Sequence, residues 1–461
     1  GKRKNKQTIR RSMTDPSKHP ASFRDPAGFV FQSGGLWYRQ VNQIYAENYE
    51  YFKSSGLYEQ LLEREQIIPH EEINRNITGS PEWYKTILPE QIPFVSYPYE
   101  WCFEQLKDAA LLILTIMKES MRHGMILKDA TPFNIQFISG RPVLIDTLSF
   151  EKYNSSQPWV AYKQFVEGFI APLLISKYHT QNLIGCLQVY PQGIPLSLLG
   201  SLLPWKSRFR MNNFLHVFLP NRIARNRNQS SQVAAKFTEQ KLKNIVDNLI
   251  SYTASIHPKR GQLIWEDYYE DSILSQEYFT NKKKIVSDWL REIPCDSILD
   301  LGSNTGVFAE MAAAMNKFTL AIDSDAGCIN QLYQRIKKNR QKNLLPLVVD
   351  IANPSAGIGW SNQEREPFLQ RIQVNLVMAL ALIHHLCIAK NIGMNQLARL
   401  LSKICQYLII EFIPKDDPKV QDMLRNRQDV FPHYSAEEFR RIFSEYFDIV
   451  LEQNIAAVGS T

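Results

Sequence analysis

The chain has 461 residues, of which 44% are hydrophobic and 21% are charged. These proportions are ordinary for folded globular proteins and exclude a largely disordered chain. At about 150 residues per domain the length predicts two or three domains, and a net charge of +7 permits an acidic partner without requiring one.

Cysteine spacing and apolar runs narrow the class of protein further. The six cysteines lie far apart and form no C-x-x-C pair, which argues against a disulfide scaffold and a zinc site. We therefore expect no bound metal. The sequence contains no signal-peptide pattern and no uninterrupted apolar run of about 18 residues. It thus predicts a cytoplasmic protein without a membrane span.

The first half of the chain begins with a basic segment. Residues 1–25 are rich in Lys and Arg and predict a flexible tail. Residues 26–232 predict an α+β domain, which opens with a hairpin over 29–41. Apolar residues at helical spacing then predict helices over 44–65 and 106–122.

A polar stretch separates this domain from the rest of the chain. Residues 226–232 (NRNQSSQ) are typical of a linker, so we assign residues 233–461 to a second domain. A helix predicted over 237–255 fits either side of the boundary.

An acid-free stretch lies just before the linker. No Asp or Glu occurs between Glu167 and Glu239, and segment 205–228 interleaves Lys and Arg with aromatic residues. Such a segment is typical of nucleic-acid contact through charge and stacking. It is equally typical of a helical domain with a basic face and buried aromatics. Both interpretations stay open.

The second domain alternates strands and helices, which predicts an open, mostly parallel α/β sheet. Its first strand, 297–301, runs into a glycine-bearing turn and then a helix over 307–315, so that a ligand can approach a helix N-terminus. The motif G-x-G-x-x-G is missing, which disfavours an NAD-type site. The further strands are predicted over 318–323, 345–349, 374–378, 407–411 and 447–452.

Acidic residues stand at or near the ends of the first three strands of the second domain, 297–301, 318–323 and 345–349. Together with DLGSNTG, AIDSD, VVDIANP, ALALIHHL and LIIEFIP, they resemble the class I S-adenosylmethionine-dependent methyltransferases. The resemblance implies a Rossmann-like domain with S-adenosylmethionine as its cofactor. It implies that Asp300, Gly302, Ser303 and Asn304 hold the methionine part, Asp323 and Ser324 the ribose, and Asp350 and Ile351 the adenine.

Two features depart from the pattern of that family. Asn304 stands where a glycine is usual, and Asn tolerates the left-handed conformation better than most residues. Only residues 454–461 remain for a last antiparallel strand, which predicts a short strand or a chain that stops early. A Rossmann-like sheet that binds another nucleotide, or no ligand, is the alternative.

The end of the fourth strand is where members of this family usually meet their substrate. Here it carries His384 and His385, and a histidine can remove a proton during transfer to oxygen or nitrogen. The alternative is that one histidine packs while the other faces solvent, because many methyltransferases need mainly proximity and alignment. Glu411 and the pair His433-Tyr434 are weaker candidates for the substrate pocket.

The N-terminal domain contains a second informative pattern. Asp129 is followed by Asn134, and a predicted hairpin then leads to Asp146, which resembles the catalytic and metal-binding loops of protein kinases. Arg39 stands where a kinase carries its nucleotide-binding Lys. No kinase-type glycine-rich loop is present, and Thr147 and Leu148 replace the Phe-Gly of a kinase. Structural turn and cap hydrogen bonds are the alternative role for the three polar residues.

As a whole the chain resembles a bacterial family of two-domain, nodulation-protein-like methyltransferases, through SFRDPAGFVF, PFVSYPYEW, LKDATPFNIQF and LIDTLSFE. We predict methyl transfer to an O or N nucleophile of an unidentified acceptor. A small molecule or a protein is favoured as this acceptor, and segment 205–228 leaves nucleic acid possible. The alternatives are a regulatory protein in which both sites are degenerate and an active kinase-like phosphotransferase. The sequence does not determine the oligomeric state.

Overall fold

Two five-stranded sheets organise the chain, one antiparallel and one parallel. In this computed structural model the described residues are 17–155, 157–225, 238–258, 273–425 and 431–455. The predicted basic tail therefore lies mostly outside the described residues, and so does the predicted linker.

The N-terminal sheet has the strands β1 (Ser17–Lys18), β2 (Gly28–Ser33), β3 (Leu36–Asn42), β4 (His70–Ile73) and β5 (Trp83–Pro89). They lie in the order β1-β2-β3-β5-β4. The predicted hairpin is confirmed, because β2 and β3 pair directly and their turn contains Gly34 and Gly35 at positive φ.

Three helices follow or interrupt this sheet: α1 (Ala46–Ser54), α2 (Leu57–Glu63) and α3 (Phe103–Arg122). The prediction of one helix over 44–65 is wrong, since Gly56 adopts a left-handed conformation (φ +79°) and separates α1 from α2. Helix α3 begins a few residues before its predicted start and is buried along most of its length.

Short elements and helices complete the N-terminal half. Strands β6 (Met125–Leu127) and β9 (Phe150–Lys152) pair with each other, as do β7 (Ile135–Ile138) and β8 (Arg141–Leu144). The acid-free stretch is mainly helical, as the helical-domain interpretation predicts. Its expectation of buried aromatics is wrong for Trp205, Phe209 and Phe214, which are exposed. The neighbourhood of the acid-free stretch contains α4 (Tyr162–Phe165), α5 (Ala171–Tyr178), α6 (Leu196–Leu202), α7 (Met211–Asn213), α8 (Leu219–Arg225) and α9 (Glu239–Ala254).

Helix α9 packs on the N-terminal half. Leu242, Val246 and Leu249 are buried on its inner face, and Lys118 of α3 forms an ion pair of 2.7 Å with Asp247. The boundary expected between 232 and 233 falls within 226–237, outside the described residues. The packing of α9 favours a boundary after this helix.

The C-terminal half is built on a parallel sheet preceded by α10 (Ile273–Glu292). Its strands are β10 (Ser297–Leu301), β11 (Phe318–Asp323), β12 (Leu344–Val348), β13 (Val374–Ala379) and β14 (Cys405–Ile410). The helices between and after them are α11 (Val307–Ala314), α12 (Ala326–Asn339), α13 (Phe368–Arg371), α14 (Met394–Ile404), α15 (Pro418–Leu424) and α16 (Ala436–Ser444).

The strands lie in the order β12-β11-β10-β13-β14, and all neighbours are parallel. Counted from β10 this is the order 3-2-1-4-5 of a doubly wound, Rossmann-like sheet. The predicted α/β fold of the C-terminal half is therefore confirmed. In such sheets ligands bind beyond the carboxyl ends of the strands, where the order reverses, and here that point lies between β10 and β13.

One strand prediction is wrong. Residues 447–455 form no strand, because the chain leaves α16 without pairing to β14. Most of the segment expected to form the last strand, 454–461, lies outside the described residues. Among the helices that are described, none is long and apolar enough to cross a membrane.

The two halves share one hydrophobic core, which extends from Phe52 to Phe443. At its centre Glu100 and Arg371 form a buried ion pair between the N-terminal half and α13. Ser355 donates a hydrogen bond of 2.7 Å to the same carboxylate. The loop that follows β12 is therefore anchored on the N-terminal half.

Candidate cofactor site

The first strand of the parallel sheet ends in a tight turn. Gly302, Asn304 and Gly306 all adopt positive φ (75°, 49° and 81°). At a φ of +75° Gly302 has a conformation that residues with a Cβ adopt only with strain. An added Cβ would also lie 2.9 Å from Cδ1 of Leu382, in the loop after β13. Asn304 keeps the left-handed conformation, and its departure from the family pattern leaves the turn intact.

Asp323, the last residue of β11, accepts hydrogen bonds from the turn after β10 and from the turn after β11. The backbone N–H of Asn304 donates to Oδ2 of Asp323 at 2.8 Å, and the N–H of Asp325 donates to Oδ1 at 2.9 Å. Burial raises the pKa of Asp323, and these backbone donors oppose the rise. The carboxylate is thus held rigidly at the strand ends, while each of its oxygens keeps a second lone pair.

Two buried polar atoms of the first strand and turn have no hydrogen-bond partner among the described residues. They are Oδ2 of Asp300 and Oγ of Ser303. The pKa of Asp300 is raised to about 7, mainly by burial; Lys282 and a backbone hydrogen bond from Ala309 oppose the rise, and the charge of Asp323 adds to it. A buried carboxylate that is only partly compensated is costly, so Asp300 is suited to a cationic partner supplied by a ligand.

The third strand places Asp350 next to Asp323, since the N–H of Val349 donates to the backbone oxygen of Asp323 at 2.8 Å. Asp350 is partly exposed, accepts a hydrogen bond from the N–H of Ala352 at 2.9 Å, and lies 3.3 Å from Nζ of Lys390. Ser324 is exposed and Ile351 is partly buried. The predicted cofactor residues therefore lie along one edge of the sheet.

A buried ion pair, which the sequence analysis missed, lies beside the first strand. Nζ of Lys282, on α10, is 2.7 Å from Oε2 of Glu411, after β14, and both side chains are almost fully buried. Tyr278 donates a hydrogen bond to the same carboxylate. A sequence signal for Lys282 did exist, because it falls on the apolar stripe of α10 between Phe279 and Val286.

The two histidines differ in exposure. His384 is 1% exposed, whereas His385 is partly exposed at the start of a π-helical turn that ends at Ala389. Their ring centroids are 4.2 Å apart. Only His385 therefore presents its ring to an incoming molecule.

The weaker pocket candidates separate in the same way. Tyr434 is buried, donates a hydrogen bond of 2.9 Å to the backbone oxygen of Ile413 and stacks on Phe412. His433 is exposed. Tyr434 thus holds the chain after β14 in place and does not line an open pocket.

The kinase-like residues of the N-terminal half do come together. Asp146 lies 2.7 Å from the guanidinium of Arg39 on β3, and its Oδ1 also accepts the N–H of Leu148 at 2.9 Å. Asn134 Nδ2 lies 3.4 Å from Oδ2 of Asp146 and 3.2 Å from Oγ of Ser149. The residues of the kinase-like pattern therefore form a cluster in three dimensions, and the side chain of Arg39 reaches this cluster from β3.

Asp129 completes this cluster. Its carboxylate accepts the N–H of Thr131 at 3.2 Å, and its pKa is raised by burial and by the charge of Asp146. Among the described residues no group of three or more His, Cys, Asp or Glu side chains is arranged to hold a metal. The charge of Asp146 is balanced by a guanidinium, which agrees with the structural alternative for this loop.

Comparison with known proteins gives the following. No protein-family model matches the chain. The chain is similar to "Nodulation protein NoeA" of Rhizobium meliloti (strain 1021), with 29% identity over 447 residues, 94% of this chain and 93% of the relative. The resemblance to a nodulation-protein-like family is thereby confirmed over nearly the whole length.

Several solved structures are similar to parts of the chain. The bifunctional kinase-methyltransferase WbdD is 20% identical and covers 39% of this chain and 36% of its own, with a TM-score of 0.27. The N-methyltransferase NodS from Bradyrhizobium japonicum WM9, in complex with S-adenosyl-L-homocysteine, is 17% identical and covers 39% and 78%, with a TM-score of 0.26. The magnesium protoporphyrin IX methyltransferase ChlM from Synechocystis PCC 6803, with bound SAM, is 15% identical and covers 35% and 77%, with a TM-score of 0.24. At these TM-scores the fold assignment stands on the strand order and register of the chain itself.

Proposed function

We propose that the chain is an S-adenosylmethionine-dependent methyltransferase that acts on an oxygen or nitrogen nucleophile. The observation that carries the proposal is the pair of buried, unpartnered polar atoms on Asp300 and Ser303, at the point where the strand order of a Rossmann-like sheet reverses. Other buried polar atoms of the described residues also lack a partner, such as Oγ of Ser176, but these two lie at the strand ends where sheets of this type bind ligands.

The residues present fit this cofactor. S-adenosylmethionine supplies a methyl group on a positively charged sulfur, together with an ammonium group, a ribose diol and an adenine. The residues proposed to hold these parts are Asp300, Gly302, Ser303 and Asn304 for the methionine part, Asp323 and Ser324 for the ribose, and Asp350 and Ile351 for the adenine.

Asp300 would act through its charge. Its pKa of about 7 means that the carboxyl group is only partly ionised at neutral pH when nothing compensates its burial. An ammonium group at Oδ2 favours the ionised form and lowers the pKa again. Cofactor binding is therefore coupled to the loss of a proton from Asp300.

His385 is the better candidate of the two histidines for a role in the transfer step. Its partly exposed ring can take a proton from an acceptor hydroxyl or amine, whereas the burial of His384 suits it to holding the turn. The buried Lys282–Glu411 pair lies near Asp300 and would set the local field at the strand ends.

The N-terminal half contacts the segment that follows Asp350 and thereby supports the cofactor site. Glu100 and Arg371 fix that loop through their buried ion pair, and the N–H of Glu366 donates to the hydroxyl of Tyr97 at 3.1 Å. We propose that the N-terminal half is a positioning module for the entrance of the methyltransferase half and that its kinase-like cluster is structural.

Calorimetric titration with S-adenosylhomocysteine tests the proposal. We expect saturable binding by the parent protein and its loss in Asp323→Asn, because the amide cannot accept hydrogen bonds at both of its heteroatoms. Asp325→Ala is the matched control: Asp325 is two residues away and caps α12 through the N–H groups of Gly327 and Cys328. This variant should lose stability and keep its affinity.

Three outcomes separate the possible functions. Absence of binding to the parent protein would overturn the cofactor assignment. Equal loss of affinity in Asp323→Asn and Asp325→Ala would mean that the effect is a general one on folding. Binding without any transfer to O or N nucleophiles would favour the regulatory alternative.

A further inference from the structure

An exposed surface of mixed aromatic, aliphatic and basic side chains lies on the N-terminal half, far along the chain from the cofactor residues. We call it the aromatic–basic surface. Trp205 is 64% exposed, Phe209 78% and Met211 69%. The surface consists of Leu202, Trp205, Lys206, Arg208, Phe209, Arg210, Met211, Phe214 and Leu215.

These side chains are displayed by an ordered backbone. Asn213 is buried and donates a hydrogen bond of 3.0 Å to the backbone oxygen of Ser207, and it accepts one from the hydroxyl of Tyr252 on α9. His216 is buried between Tyr162 and Asn248, with hydrogen bonds of 2.7 Å on each side. Asn213 and His216 thus point inward and hold the segment in place, while Trp205, Phe209 and Met211 are exposed.

The exposure of these large apolar side chains has an energetic consequence. Large apolar side chains concentrated on one patch of a protein surface mark a site of interaction, because water is released when they are covered. Trp205 and Phe209 contact each other edge to face, with ring centroids 5.5 Å apart, yet both remain exposed. The pair covers itself only in part.

The charge of the surface selects the kind of partner. Lys206, Arg208 and Arg210 are all exposed, and the sequence contains no acid between Glu167 and Glu239. The partner is therefore anionic. A second copy that offered the same surface would bring basic side chains against each other.

The aliphatic residues distinguish between anionic partners. Single-stranded nucleic acid uses aromatic rings as stacking platforms for its bases, but Leu202, Met211 and Leu215 offer no such platform. In a lipid layer aliphatic and aromatic side chains enter the boundary of the acyl chains, while Lys and Arg stay among the headgroups. We propose that the aromatic–basic surface binds the face of an anionic lipid membrane.

Sedimentation of the full-length protein with vesicles tests this proposal. We expect co-sedimentation with vesicles of phosphatidylcholine and phosphatidylglycerol, weaker binding to phosphatidylcholine alone, and a decrease with salt. The double variant Lys206→Glu/Arg210→Glu should bind at least tenfold more weakly, since each basic residue near an anionic surface contributes about fivefold, or about 1 kcal/mol.

The apolar contribution needs its own variants. Trp205→Ala/Phe209→Ala should lower vesicle binding at least tenfold while affinity for S-adenosylhomocysteine stays unchanged. Trp360→Ala removes a tryptophan that is 72% exposed on the other half of the chain, and this control should bind vesicles like the parent.

Several results would overturn the proposal. They are no vesicle binding by the parent protein, equal binding by the Trp205→Ala/Phe209→Ala variant, and equal loss in Trp360→Ala. Binding of single-stranded DNA with a steep salt dependence but no binding of vesicles would assign the surface to nucleic acid. A dimer that the Trp205→Ala/Phe209→Ala variant converts to monomer, again without vesicle binding, would assign it to self-association.

Discussion

The two acidic clusters of this chain differ in how the charge of their buried carboxylates is compensated. In the N-terminal cluster Asp146 is paired with Arg39 and contacts Asn134. In the C-terminal cluster Oδ2 of Asp300 and Oγ of Ser303 have no partner in the described part of the chain. In the N-terminal cluster Nε of Arg39 and Oγ1 of Thr147 are also buried without a partner among the described residues. The difference therefore lies in the carboxylates: a buried charge is costly unless it is compensated, and Asp146 is compensated by Arg39, whereas Asp300 is compensated only in part.

This difference separates structure from function where the sequence patterns look alike. Both clusters match motifs of known enzyme families, and both contain an Asp whose pKa is raised by burial. What distinguishes them is the presence of a guanidinium. Arg39 supplies the positive charge that a metal ion supplies in a kinase, whereas Asp300 receives only partial compensation from Lys282.

The largest expected effect is a loss of stability when the Arg39–Asp146 ion pair of the N-terminal cluster is broken. Arg39 and Asp146 are both largely buried, so Asp146→Ala leaves an uncompensated guanidinium and should destabilise the protein by about 3–5 kcal/mol. Chemical denaturation measures this change. Affinity for S-adenosylhomocysteine should stay the same at temperatures where the variant is folded.

A double-mutant cycle provides the control for that result. Arg39→Gln/Asp146→Asn should recover a large part of the stability that Arg39→Gln and Asp146→Asn each lose, because it removes both charges of the pair together. Stabilisation of the parent protein by magnesium and ATP in a thermal melt, lost in Asp146→Asn, would contradict the structural role and revive the kinase alternative.

A somewhat smaller effect is expected at the C-terminal cluster, where a substitution should lower affinity and raise stability. Asp300→Asn should weaken S-adenosylhomocysteine binding roughly 100-fold, about 3 kcal/mol, through loss of a charged contact to the ammonium group. The same substitution removes a poorly compensated buried charge and should raise stability at pH 8 by about 1–3 kcal/mol. Loss of affinity together with loss of stability would mean that Asp300 is structural.

The smallest effect is a dependence of binding on pH. Binding requires the ionised form of Asp300, whose pKa is about 7, so affinity for S-adenosylhomocysteine should fall about tenfold between pH 8 and pH 6. The Asp300→Asn variant should show no such slope. A flat profile in the parent protein would contradict the role assigned to this carboxyl group.

The effect of pH on stability is opposite to its effect on affinity. Because the folded state raises the pKa of Asp300 above its ordinary value of 3.8, the folded protein binds the proton more tightly than the unfolded chain does. The contribution of Asp300 to stability is therefore present at low pH and is lost as pH rises through about 7. The stability advantage of Asp300→Asn should accordingly grow from pH 5 to pH 8.

Local patterns in the sequence predicted the core of the C-terminal fold. The strand at 318–323 is confirmed at both ends, and those near 345–349, 374–378 and 407–411 to within a few residues. Such strands are short apolar runs followed by polar turn residues, and both signals act within a few residues. The acids at the strand ends follow from the same register, so their common edge could be predicted as well.

Tertiary structure decided what depends on packing between distant segments. The sequence did not reveal that Lys282 would pair with Glu411, which of the two histidines would be buried, or that residues 447–455 would form no strand. Each outcome depends on neighbours far along the chain, which a local pattern does not contain.

The same division holds for the two clusters. By itself the sequence determined that several acidic and amide residues stand at or near the ends of strands or short helical segments, because strand patterns and turn chemistry are local. They are Asp129, Asn134, Asp146, Asp300 and Asp323. Only the tertiary structure decided that Arg39 approaches Asp146 and that no comparable cation reaches Oδ2 of Asp300 within the described residues. The physical reason is that burial and charge compensation are properties of the packed chain.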